Sequence, residues 1–201
     1  MKVAIIAGSH RREAESLRVA QYVQRQLQEL GVEETYLLSL ADNPLPLWDE
    51  GLWAGEEKWK TLWQPIACQL REAEGFVIVT PEWSGMVPAG LKNFFLLCDK
   101  EILAHKPALI VAVSASMGGA YPVAELRMSS YKNTRICYIP DHMIIRNVGS
   151  LLYGETPTSP EDAAVRERLK YCLRILLEYV KALRAVRQSG VVDLERFPYG
   201  L

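Results

Sequence analysis

The sequence predicts an α/β chain built on a five-stranded, doubly wound parallel sheet of order 2-1-3-4-5, with helices on both faces. Three observations carry that expectation. Apolar, β-branched runs alternate with segments of helical period. The central runs are apolar on every residue, as strands covered on both faces should be. Loops rich in Gly and Ser follow the first, third and fourth runs, where a parallel sheet opens its ligand crevice.

The elements follow in order. Val3 to Ala7 reads as a first strand. Leu17, Ala20, Val23, Leu27 and Leu30 keep helical spacing, and Gly31 stops the helix. Thr35 to Leu40 is a second strand and Phe76 to Thr80 a third. Leu91 to Leu103 reads as one helix and Leu109 to Ser114 as the fourth strand. Val123 to Tyr131 is helical, and Ile136 to Ile139 is the fifth strand. A long last helix shows Val165, Leu169, Cys172, Leu176, Val180 and Leu183 on one face. No linker rich in Ser or Pro divides the chain, so residues 1–201 read as one domain.

Two stretches exceed a minimal version of this fold. One is 41–63, with Pro44, Pro46 and four of the five tryptophans. The other is 142–160. Irregular insertions of this kind are often lids or interface elements. The tryptophans serve equally well as a satellite core.

Composition bounds the partners. The chain has 201 residues, 49% hydrophobic and 23% charged, with net charge -1. No basic stripe interleaved with aromatics is present, so neither nucleic acid nor an anionic membrane is expected as a partner. The first apolar run is too short for a signal sequence, and no window approaches the ~18 apolar residues of a membrane span. Cys68, Cys98, Cys137 and Cys172 are widely spaced, as reduced thiols of a cytoplasmic protein would be. His10, His105 and His142 show no ligand spacing, and no metal site is expected.

The three loops hold the candidate chemistry. Gly8-Ser9-His10-Arg11 leads into a helix beginning near Ser16. A helix N-terminus at that place suits a phosphate, with hydroxyls from Ser9 and Ser16 and a charge-assisted contact from Arg11. Ser16 as the helix N-cap explains its position as well. Neither GxGxxG nor GxxxxGK[ST] occurs, so a dinucleotide loop and a P-loop are not supported. After the third strand, Pro81 and Gly85 shape a turn, Trp83 can stack on a flat ring, and Pro88 opens the next helix. Ser114 to Ala120 carries the glycine pair Gly118-Gly119. The expected strand order brings all three loops to one crevice.

On these residues the sequence resembles the NAD(P)H-dependent FMN reductases, a family of flavodoxin-like proteins that includes quinone and azo-dye reductases. The family pattern runs GS-x-R-x-x-S, then PEYN-G-x-x-P-x-x-L-K-N, then a Ser/Gly-rich turn. This chain matches with Gly8, Ser9 and Arg11, with Pro81, Glu82 and Gly85, with Pro88, and with Leu91-Lys92-Asn93. The resemblance covers residues 1 to about 140, and the second motif is its specific part. It implies that Ser9, Arg11 and Ser16 hold the FMN phosphate. It implies that Pro81, Glu82, Trp83, Ser84 and Gly85 hold the ribityl chain and ring edge, and that Ser114 and Gly118 meet the isoalloxazine.

The resemblance further implies hydride transfer from NADPH or NADH through flavin to a small acceptor. Quinone, free flavin, azo compound and metal ion are all possible acceptors. No protein residue then acts as acid, base or nucleophile. A homodimer or homotetramer with flavin at the subunit boundary is implied too. Three departures stand out: a longer step from Arg11 to Ser16, Trp83 in place of Tyr, and Ser84 in place of Asn. Against the family pattern, the last loses or weakens an amide contact to the flavin. A flavodoxin-type electron carrier and a flavin-free interaction module of the same fold remain the alternatives.

Overall fold

The computed structural model describes residues 1–200. Strands β1 (Lys2–Ala7), β2 (Glu34–Ser39), β3 (Gly75–Pro81), β4 (Pro107–Val113) and β5 (Cys137–Ile145) form one sheet in the order β2-β1-β3-β4-β5. Every neighbouring pair is parallel, as the alternation of strands and helices requires. β1, β3 and β4 are buried along their whole length.

Alternate residues of these strands face opposite cores. Val3, Ile5, Val77, Val79, Leu109 and Val111 meet helix α1 (Glu15–Glu29) and the long helix α8 (Pro160–Gln188), through Val19, Val23, Leu27, Leu169 and Leu173. Ala4, Ile6, Phe76, Ile78, Ala108 and Ile110 meet the other layer. That layer contains α3 (Glu57–Leu62), α4 (Gln64–Glu72), α5 (Ala89–Leu97) and α7 (Ala120–Met128). Short helices α2 (Gly51–Ala54) and α6 (Lys100–Leu103) complete the crossovers.

Three expectations change at this point. The helix expected over Leu91 to Leu103 is two, α5 and α6, because Asp99 starts a new helix by accepting the Glu101 and Ile102 N–H groups. The helix expected from Val123 begins at Ala120, since Gly119 takes a left-handed φ of 108° and lets the chain enter it at once. The fifth strand continues to Ile145, so the stretch 142–160 opens inside the sheet. Pro140 disguised it. It sits on the edge strand where the register against β4 shifts between Ala108 and Ile110, and a missing N–H is tolerated there.

The stretch 41–63 divides in two. Trp59 and Trp63 are core residues, with Trp63 edge-on to Phe94 and the Trp59 indole N–H donating to Asp49. Trp53 and Leu47 instead project into solvent. The loop between them is pinned by buried Asn93, whose amide donates to Pro46 O (2.8 Å) and accepts from Trp48 N (2.7 Å).

Candidate functional site

The site is built from the carboxyl ends of β1, β3 and β4. The turn out of β1 needs glycine at position 8. A Cβ there would lie 2.6 Å from Leu91 Cδ2 and 3.0 Å from the Val79 carbonyl. Gly8 N donates to that same carbonyl, so β1 and β3 stay clamped where their loops diverge.

α1 starts without a cap. Ala14 occupies the N-cap position and offers no side-chain acceptor, while Leu17 and Arg18 donate back to the Ala14 carbonyl. The N–H groups of Glu15 and Ser16 thus have no helix carbonyl to bond. Ser16 is the second residue of the helix, not its cap. Its side chain is 1% exposed, and its Oγ has no hydrogen-bond partner among the described residues. A buried, unpartnered hydroxyl is costly, and such atoms in native structures mark places where another group belongs. The Ser9 Oγ accepts from Arg11 N (3.2 Å), which rounds the loop and turns the exposed Arg11 toward the same opening. Arg11 forms no ion pair among the described residues, whereas its neighbour Arg12 is committed to Asp42.

The second wall is a tight hairpin. Trp83 and Met86 exchange both backbone hydrogen bonds, at 3.1 and 2.9 Å. Ser84 (φ 50°) and Gly85 (φ 71°) at its tip are both left-handed, the geometry of a type I′ turn. The Trp83 ring stands edge-on to His10, with centroids 4.5 Å apart, so the first two walls touch. The His10 Nδ1 is another buried atom without a hydrogen-bond partner among the described residues.

Glu82 bridges to the third wall. Its carboxylate accepts the Gly119 N–H at the start of α7 and lies 2.7 Å from where a Cβ on Gly118 would be. Gly118 is needed because a carboxylate packs on it. The Ser114 Oγ accepts from Ser116 N, and Arg146 donates to the Met117 and Gly118 carbonyls, so this loop is largely self-satisfied. Behind the hairpin, Glu125 accepts from Val87 N and pairs with Lys92. Partial burial raises the Glu125 pKa, and the Lys92 and Val87 contacts outweigh it, holding the carboxyl below its ordinary range.

The expected residues are therefore gathered unequally. Ser9, Arg11, Ser16, Pro81, Glu82 and Trp83 line one cavity of about 170 Å³. Ser84, Gly85, Ser114 and Gly118 stand around it in the hairpin tip and the β4 loop, outside its lining. Sequence reasoning missed Ala14, Glu15, Val113, Ala115 and Val148. Val148 comes from the turn after β5, and no motif ties that turn to the other loops. Glu15 had a signal, since an acid in a first helical turn faces the helix N-terminus.

The cavity's chemistry is two-sided. Free N–H groups, an orphaned hydroxyl and an unpaired guanidinium suit a phosphate ester. Trp83, Val113, Ala115 and Val148 suit an apolar ring or chain. At about 170 Å³ it falls below the roughly 300–1,000 Å³ of a site that encloses a whole ligand. Its size suits one end of such a ligand.

The chain is similar to known proteins in sequence and in fold. A sequence model of the family described as NADPH-dependent FMN reductase matches residues 1–149. The chain belongs to that family. The quinone reductase of Escherichia coli K12 is 35% identical over 124 residues, covering 60% of this chain and 64% of that protein. The chain thus matches slightly less than two thirds of that relative's length. An NADPH azoreductase from Bacillus sp. is 26% identical over 147 residues, covering 72% of this chain and 76% of that protein. Among solved structures, a flavoenzyme NAD(P)H:(acceptor) oxidoreductase from Paracoccus denitrificans superposes with a TM-score of 0.65 at 17% identity, covering 90% of this chain and 97% of that one. An FMN-dependent NADH-azoreductase from Bacillus anthracis, solved with FMN, gives 0.53 at 18% identity, covering 92% and 98%. The last two likenesses establish the flavodoxin-like fold.

Proposed function

We propose that the protein is an FMN-dependent oxidoreductase. It passes a hydride from NADPH or NADH to a small acceptor of the quinone or azo class. The observation that carries this reading is the orphaned Ser16 hydroxyl beside the uncapped start of α1, which awaits an acceptor-rich group such as a phosphate. The family match and the quinone reductase and azoreductase relatives name the chemistry.

Bound FMN supplies the two-electron chemistry. The chain's own residues bind and orient. Ser16, the Glu15 and Ser16 N–H groups and Arg11 hold the phosphate. Trp83 and the hairpin backbone flank the rest of the cofactor, and Glu82 fixes the hairpin against the β4 loop. No side chain in the set is placed as an acid, base or nucleophile in this reading.

The same reading takes the chain as one domain, since α8 packs on β3, β4 and β5 beyond the matched stretch. It takes the protein as a homodimer or homotetramer. Leu96 on α5 and Tyr121 and Met128 on α7 support that, because exposed apolar residues suit a protein contact. Among the described residues no helix is long and apolar enough to cross a membrane. The four cysteines are free, which supports a cytoplasmic setting.

The test is the visible spectrum of the purified protein before and after FMN is added. Flavin bands that bleach anaerobically with NADPH or NADH support the proposal. Bands that neither nucleotide bleaches point to an electron carrier. A colourless protein that takes up no FMN overturns the reading.

A further inference from the structure

The cavity contains a residue that a phosphate site should not welcome. Glu15 is the first residue of α1 and lines the same opening as Arg11 and Ser16. A carboxylate in that position competes with a bound anion for the helix N-terminus and repels it.

The structure holds this carboxylate by both oxygens. Arg18 reaches Glu15 Oε2 through Nε (2.7 Å) and its terminal nitrogen (2.5 Å). The Tyr153 hydroxyl donates to Glu15 Oε1 at 3.1 Å. The rest of the Arg18 guanidinium is spent on the strap that follows β5. It donates to the carbonyls of Val148 (2.9 Å), Leu151 (3.0 Å) and Leu152 (3.0 Å), and it stacks 3.8 Å from the Tyr153 ring centre. An isolated surface pair at this spacing would matter little. This one joins a cavity-lining acid to a strap that itself contributes Val148 to the cavity. Most of that strap lies beyond residue 149, where the family match ends.

We propose that Arg18 and Tyr153 are positioning residues that draw the Glu15 carboxylate off the phosphate cradle. The strap over residues 148–153 thereby sets how tightly the cofactor's phosphate is held. The inference rests on the cradle binding a phosphate ester. With the strap in place, Glu15 is neutralised by Arg18 and turned aside. With the strap displaced, Glu15 is free to occupy the helix N-terminus in the phosphate's place.

Riboflavin tests this, because it is FMN without the phosphate. Flavin-stripped protein is titrated with FMN and with riboflavin, following flavin fluorescence. Glu15→Gln should tighten FMN by about three- to tenfold and leave riboflavin unchanged, as expected for removing a partly screened like charge. Arg18→Leu should loosen FMN by about tenfold, again without affecting riboflavin. In the Glu15→Gln background the Arg18→Leu loss should vanish. If Arg18→Leu fails to fold, Tyr153→Phe removes only the hydroxyl and should loosen FMN about two- to threefold.

Equal changes in FMN and riboflavin affinity would overturn the inference, since these residues would then only maintain shape. So would an Arg18→Leu or Tyr153→Phe loss that persists beside Glu15→Gln. Wild-type protein that binds riboflavin as well as FMN, or binds neither, removes the phosphate cradle itself and this inference with it.

Discussion

The helices α1 and α8 pack side by side on the same face of the sheet, yet their N-termini are finished in opposite ways. α8 is closed. Ser159 caps it by accepting the Asp162 N–H (3.1 Å), and Pro160 fills the first turn, where its missing N–H costs nothing. The Asp162 carboxylate, fully buried, accepts from Leu152 N (2.8 Å) and Thr158 N (3.0 Å) and pairs with Arg166 (3.1 Å). α1 is open. It has an alanine at the cap, two N–H groups with no helix carbonyl to bond, and a buried serine whose Oγ has no partner among the described residues. Both ends carry the same positive end of a helix dipole. One uses it to hold its own chain, and the other, in the proposed function, leaves it for a ligand.

The largest way to break that contrast is Asp162→Ala. It leaves Arg166 buried without its partner, and losing one half of such a pair costs about 3–5 kcal/mol. Equilibrium unfolding should show the loss, and an unchanged midpoint would mean that the α8 closure is decorative. The same group sets an acid limit. Burial raises the Asp162 pKa, but the Leu152 and Thr158 N–H groups and Arg166 outweigh it and hold the carboxyl below its ordinary range. A depressed pKa contributes stability above the unfolded value, and that stability is lost as pH falls through the folded one. Wild-type stability should therefore decline below about pH 4, and Asp162→Ala should flatten the decline.

Arg11→Ala addresses the open end. It should weaken FMN by about 1.5–3 kcal/mol, the range for a charge-assisted contact, and leave folding stability within about 0.5 kcal/mol because the side chain is exposed. Unaltered FMN affinity by fluorescence titration would place the phosphate elsewhere. Ser159→Ala opens the closed end and should cost about 1 kcal/mol of stability without touching FMN affinity. Ala14→Ser does the reverse. Capping α1 should stabilise the flavin-free protein by up to about 1 kcal/mol and weaken FMN, because the cap takes an amide the phosphate would use. A cap that stabilises the protein and leaves FMN affinity intact would sever the link between an open helix end and ligand binding.

What the sequence disclosed follows from which signals are local. β3 and β4 were legible because burial on both faces leaves uninterrupted apolar runs. β5 was half hidden, since Pro140, Asp141 and His142 look like a loop until the bulge against β4 explains them. α4 escaped notice although Pro65 stands in its first turn. The Pro81-to-Asn93 motif identified the hairpin wall, and Asn93 proved to tie down the Pro46 to Trp48 loop, a job readable only in three dimensions. The Ser16 question, cap or ligand group, turned on two residues of helix phase, which spacing alone does not fix. Val148 and the Arg18–Tyr153 tether reach the cavity from more than a hundred positions away, and no local pattern reports that.

The hairpin tip has a further consequence. Ser84 is held at φ 50°, a region that Gly and Asn enter readily and that other residues enter at a cost of roughly 1 kcal/mol or more. The wall at Trp83 to Met86 should therefore open transiently ahead of the strands it joins. Hydrogen exchange should record it: the Met86 amide should exchange faster than the Gly8 amide, although both are hydrogen-bonded at comparable length, 2.9 and 2.8 Å. Ser84→Asn, which suits the left-handed turn, should slow exchange of the Trp83 and Met86 amides together and leave Gly8 unchanged. The residue chosen at one exposed position would then govern how often this side of the cavity breathes.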